Sequence, residues 1–152
     1  MNKLLKKLKL LGKQGMKKKN RIIFDTNIWI SFLISKSLGD LDKLILKGKV
    51  VLLFSHELMT EFIDVTSREK LKPFFTEDDI ATLIDLIDEY GEIVIVKSDV
   101  RICRDKKDNF LLALAKDGKA DYLITGDKDL LILESFEKTK ITNLTNFRES
   151  FK

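Results

Sequence analysis

Apolar positions along this chain fall into short continuous runs that alternate with longer stretches of helical spacing. Ile22, Ile23 and Phe24 lie between Arg21 and Asp25. A continuous apolar block bounded by charge is the pattern of a buried strand, here residues 21–25. Residues 50–54, 93–96 and 121–125 form three more such runs, and residues 140–143 read as a fifth strand at an edge. Between them, Ile30, Leu33 and Ile34 predict a helix over 26–37 ended by Gly39, and Leu41, Leu44 and Ile45 a second closed at Gly48. Ser55 is placed to cap a helix carrying Leu58, Met59, Phe62, Ile63 and Val65, which stops before Pro73. Thr76 followed by Asp79 has the form of a capping box. It opens a helix with Ile80, Leu83, Ile84 and Ile87 that ends at Gly91. Asp105 can cap a helix over 106–117 with Gly118 as its terminator, and residues 145–152 form a short last helix.

Strands alternating with helices predict an α/β fold, a parallel sheet of about five strands with helices on both faces. The 152 residues suit one domain, and 44% hydrophobic content is enough for a core. The apolar runs are too short to span a bilayer. The N-terminal apolar residues are interrupted by Lys, so no signal peptide is expected. Cys103 is the only cysteine, which excludes an internal disulfide and fits a reducing cytoplasm. His56 is the only histidine, so any metal site must be built from oxygens.

Charge divides the chain. Residues 1–20 hold eight lysines and no acid, whereas 21–152 hold 20 basic and 24 acidic residues. The net charge of +4 therefore belongs to a basic arm, and the body at 21–152 is mildly acidic. In the arm, Leu4, Leu5, Leu8 and Leu11 recur at helical spacing among Lys6, Lys7, Lys9 and Lys13, until Gly12 and Gly15 interrupt. Such a segment can serve a partner, a phosphate polymer or an anionic surface, or be a solvated terminus. Met16 is an alternative start that would leave only a short lead into the first strand.

Four carboxylates stand where an ordinary strand or helix would place something else. Asp25 ends the first buried strand, where open α/β sheets put their functional groups. Glu61 shares a helix face with Leu58 and Val65. Asp108 borders the stripe of Leu111, Leu112 and Ala115, and Asp127 follows the fourth strand through Thr125 and Gly126. Each has a structural explanation as well. Asp25 could be a helix cap, Glu61 a partner of Arg68, Asp108 a dipole-favoured acid in a first turn, and Asp127 a turn residue. Together, at one end of a sheet, they would repel one another or recruit a hard divalent cation. Two such ions could hold a phosphodiester, activate a water and stabilise the leaving oxygen, without a His or Cys nucleophile.

These motifs resemble those of a PIN domain. Ile23-Phe24-Asp25-Thr26-Asn27 is similar to that family's opening strand and turn, and Ser55 with Glu61 to its second acid. The stretch from Asp105 to Ala115 is similar to its third motif, and Ala120 to Leu130 to its closing one. The family often has Pro where Lys106 stands, and the lysine arm is outside its common pattern. The resemblance covers about residues 20–145. It implies a PIN-like, Rossmann-like three-layer fold and an Mg2+- or Mn2+-dependent endoribonuclease that hydrolyses RNA with a metal-activated water. It also implies a VapC-like toxin of a toxin–antitoxin pair, a protein antitoxin as partner, and a homodimer. Asp25, Glu61, Asp108 and Asp127 would be the metal ligands and catalytic acids. Thr26 or Asn27 would orient Asp25 or a bound water, Asp105 would stand behind the ligands or serve as an alternative acid, and Asp129 would either rival Asp127 as the fourth acid or stand behind it.

Other groups have plainer readings. Trp29 could stack on a base but suits a core, and His56 suits the surface. Nothing marks Cys103 as a nucleophile. Phe74 and Phe75 beside Pro73 form either a contact patch or a tucked loop. Lys106, Lys107 and Lys128 flank the acids and could meet phosphates. Two other functions share part of this pattern: a non-catalytic RNA-binding module on the same fold, and a receiver-type phosphoacceptor domain. The first gains nothing from acids facing phosphates, and the second needs a different placement of its later acids.

Overall fold

The computed structural model describes Lys3, residues 19–35, Lys43 and residues 50–150. At its centre runs β1 (Asn20–Phe24), whose Ile22, Ile23 and Phe24 are almost wholly removed from solvent. β2 (Val50–Phe54) and β4 (Tyr122–Ile124) flank it in parallel. β3 (Gly91–Ile93) adds to β2, and β6 (Thr139–Thr142) adds to β4, both in parallel. The order is β3-β2-β1-β4-β6-β5, with β5 (Ser135–Phe136) antiparallel on the far edge. The mostly parallel sheet matches the expectation, with one strand more. That strand turns back through Glu137, whose φ is 51°, and so covers residues 140–143, which were expected at the edge. A receiver-type order would place β1 between the second and third strands; here its neighbours are β2 and β4.

Helices cover the sheet: α1 (Thr26–Ile34), α2 (His56–Thr66), α3 (Glu77–Tyr90), α4 (Asn109–Asp117), α5 (Lys128–Leu131) and α6 (Leu144–Ser150). Ser55 caps α2 by accepting from the Leu58 N–H, and Thr76 with Asp79 forms a reciprocal capping box on α3. Gly118 does end α4, but in right-handed conformation; Lys119 takes the left-handed position at φ 51°. Gly118 is needed for space instead, since a Cβ there would lie 2.8 Å from the Leu114 carbonyl oxygen. The helices expected in the arm and around Leu41–Ile45 fall outside the described residues, Lys3 and Lys43 apart.

Two boundaries moved for physical reasons. Gly91 both ends α3 and opens β3, so the third strand pairs over 91–93 rather than 93–96. Residues 106–108 form a 3-10 turn that leads into α4 instead of its first α-turn. The core is continuous through both layers. Leu111 and Leu112 of α4 and Leu123 of β4 are at most 1% exposed, each side chain contributing about 2 kcal/mol by burial. Trp29 belongs here, 2% exposed and stacked on Phe54 at 5.4 Å.

Candidate metal centre

Strand order reverses between β1 and β4, and a crevice opens at the carboxyl ends of such neighbours. Both strands deliver polar groups to it directly. Asp25 follows β1, and its backbone carbonyl starts α1 by accepting from the N–H groups of Ile28 and Trp29. Its side chain forms no proper capping bond, although the nearby N–H groups of Asn27 and Thr26 favour its ionised form. Asp25 is 7% exposed, and its Oδ2 accepts from the Thr125 hydroxyl at 2.7 Å. Burial raises its pKa; the Thr125 hydroxyl and the Asn27 N–H oppose that, and the charge of Asp127 adds to it.

Thr125 is the residue that sequence reasoning passed over. Wholly buried at the end of β4, it donates to Asp25 and accepts from the Asp127 N–H at 3.0 Å. The hydroxyl thus reaches a carboxylate 100 residues away in sequence. The available signal was a Thr closing an apolar run just before Gly-Asp. The N–H of Thr26 is one of the groups that favour ionised Asp25, while its side chain donates to Glu61 Oε2 at 2.7 Å. That bond ties the second acid to the turn after β1. Arg68, the alternative partner of Glu61, pairs with Asp64.

The third and fourth acids arrive on helix starts. The Asn109 side-chain oxygen accepts from the N–H groups of Ile102 and Cys103, fixing the preceding loop against the head of α4. Asp105 accepts from the Lys107 N–H and sets the 3-10 turn that ends in Asp108. Asp127 Oδ1 accepts from the Asp129 N–H and caps α5. Asp127, whose structural reading was that of a turn residue, is thus a helix cap, and the cap holds Asp129 beside it.

Asp108, Asp127 and Asp129 each bring a carboxylate oxygen within 4.8 Å of the others. Asp108 Oδ2 is buried with no hydrogen-bond partner. Burial, the adjoining carboxyl of Asp127, and the charges of Asp127, Asp105 and Asp25 push the Asp108 carboxyl up to about 7. The charge of Asp25 is the smallest of these contributions, and the carboxylates that meet within 4.8 Å are those of Asp108, Asp127 and Asp129. Cys103 is buried beside the same acids, and its thiol is pushed up to about 11 by burial and their charges. It is a poor nucleophile there. Lys106, Lys107 and Lys128 are exposed, and among the described residues none forms an ion pair with the cluster.

The donor set suits a hard divalent cation. It is all oxygen and carries surplus negative charge, and it includes an orphaned buried atom of the kind a cation satisfies.

The chain also has relatives. An uncharacterised protein of Methanocaldococcus jannaschii is 31% identical over 130 residues, covering 83% of each chain. The fold is similar to the crystal structure of VapBC2 from Rickettsia felis bound to a DNA fragment from their promoter. That match has a TM-score of 0.53 at 13% identity, and covers 81% of this chain and 98% of the other. A family model described as PIN domain matches residues 21–129, from the head of β1 through the last acid of the cluster. The chain belongs to the PIN domain family.

Proposed function

We propose that this chain is a divalent-metal-dependent endoribonuclease, the toxin of a toxin–antitoxin pair acting in the cytoplasm. The observation that carries the reading is the partnerless, buried Oδ2 of Asp108 among carboxylates at the switch point of the sheet. Asp108, Asp127 and Asp25 would hold the cation, with Glu61 completing the ring and Asp129 beside it. Bound Mg2+ or Mn2+ would supply the positive charge that activates water and offsets the charge of the leaving oxygen.

The chain's own groups do the positioning. Thr125 aims Asp25, and Thr26 holds Glu61 toward the same turn. Asp108, its carboxyl pushed up to about 7, would have to be ionised to hold a cation, which would couple binding to pH. Lys106, Lys107 and Lys128 stand on exposed rims where RNA phosphates would approach. The fold likeness to VapBC2 supports a protein antitoxin as partner, and a homodimer would follow from the family resemblance alone. Residues 21–152 would form the nuclease body and 1–20 a separate arm.

Cleavage of a mixed RNA substrate tests this. We expect hydrolysis with Mg2+ or Mn2+, none with chelator, and a loss of at least about 100-fold in Asp108→Asn and Asp25→Asn. Activity untouched by both substitutions, in proteins of native circular dichroism, defeats the proposal. Metal-independent RNA binding without cleavage would mark a non-catalytic module.

A further inference from the structure

The acids outside the crevice are not evenly spread. α3 carries Glu77, Asp78, Asp79, Asp85, Asp88 and Glu89 and no basic residue. Glu77, Asp78, Asp85, Asp88 and Glu89 form no ion pair with any described residue. Asp85, Asp88 and Glu89 also lie toward the C-terminal end of the helix, where its dipole is negative and cations are favoured. Along the same outer face, Ile80 and Ile84 are 49% and 52% exposed, one turn apart. An apolar pair ringed by acids that pair with none of the described residues is a surface suited to a basic, amphipathic partner.

This chain contains a segment of that chemistry. Residues 3–11 place Leu4, Leu5, Leu8 and Leu11 at helical spacing among Lys3, Lys6, Lys7 and Lys9. The connection is short enough. Arg21, just past the arm, bonds Glu92 at 2.7 Å, and Glu92 lies two residues beyond the end of α3. β1 and β3 are two strands apart, roughly 10 Å. Residues 12–19 can span up to about 27 Å, and α3 is about 21 Å long.

We infer that the N-terminal lysine–leucine segment of the chain docks on its own α3, its leucines covering Ile80 and Ile84 and its lysines facing Asp85, Asp88 and Glu89. The arm is then an internal strap on the nuclease body. The acids of α3, rather than RNA phosphates, are its resting counter-charge.

Zero-length carbodiimide cross-linking of the full chain reads the contact directly. Lys3, Lys6, Lys7 or Lys9 should join to Asp85, Asp88 or Glu89 at low salt, with a yield independent of protein concentration. Thermolysin cleavage beside Leu5 and Leu8 reports the undocked fraction. It should quicken by roughly tenfold in the Asp85→Lys/Asp88→Lys protein, because cleavage tracks the open population. A matching arm variant, Lys6→Glu/Lys7→Glu/Lys9→Glu, leaves α3 intact and should also quicken cleavage. Combining both sets should restore protection. Ile84→Ser should quicken it with every charge retained. The inference is overturned if no arm-to-α3 cross-link forms and cleavage is equal in all variants. It is also overturned if the yield rises with concentration, which assigns the arm to a second copy. Protection that appears only on adding a short RNA would give the arm to nucleic acid and likewise overturn it.

Discussion

Replacing Thr125 by Val keeps the shape of a wholly buried side chain and removes only its hydroxyl. Two bonds go with it: the 2.7 Å bond donated to Asp25 Oδ2, and the 3.0 Å bond accepted from the Asp127 N–H. A lost hydrogen bond to a buried carboxylate costs about 1.5–3 kcal/mol, and an unpaired N–H about 1 kcal/mol. The metal-free variant should therefore be less stable by roughly 2.5–4 kcal/mol at about pH 8. The deficit has a pH signature. Burial raises the folded-state pKa of Asp25, and the Thr125 hydroxyl holds it down. Without the hydroxyl the pKa climbs further, so the penalty is full where Asp25 is ionised. It shrinks toward the Asp127 share, about 1 kcal/mol, once Asp25 is protonated. Urea unfolding of both proteins at about pH 8 and pH 4 measures it. A deficit below about 0.5 kcal/mol at both values, or one larger in acid, would refute the linking role given to Thr125.

Two further outcomes follow from the same geometry. Burial and the neighbouring acids push the Asp108 carboxyl up to about 7, so its ionisation opposes folding as pH rises from its unfolded value through that range; Mg2+ should relieve the repulsion and raise Tm more at about pH 8 than at pH 5.5, and an equal rise at both would count against a cation in this cluster. Asp117 is held below the usual carboxylate range, first by the Ser98 hydroxyl and then by its N–H. Its contribution is present above the unfolded value and lost as pH falls through the lower folded one. Asp117→Asn should cost about 1 kcal/mol near neutrality, discounted for partial exposure, and nothing in strong acid, as followed by urea unfolding.

What could be read from the chain was what its local pattern dictates. Ile22-Ile23-Phe24 is legible because a strand buried on both faces leaves no polar position to confuse it. Ser55 and the Thr76–Asp79 box are legible because a cap is a bond across three residues. β5 was not, since two residues, one of them Ser, carry no period and are set by pairing with β6. In the crevice, Asp25, Asp108 and Asp127 stand out as acids beside apolar runs. The bonds from Thr125 to Asp25 and from Thr26 to Glu61 cross 100 and 35 residues, and no spacing rule reaches that far. Asp127 and Asp129, rivals in the sequence, both stand beside Asp108, because the α5 cap holds them together.

The central claim is that separated acids meet to hold one kind of ion. Calorimetric titration of Mn2+ into the metal-free protein and into Asp108→Asn tests it without any RNA. The account predicts saturable binding that weakens by at least about tenfold in the variant, with proton release near neutral pH in the parent alone. Equal affinity in two equally folded proteins, with no proton released by either, would contradict it.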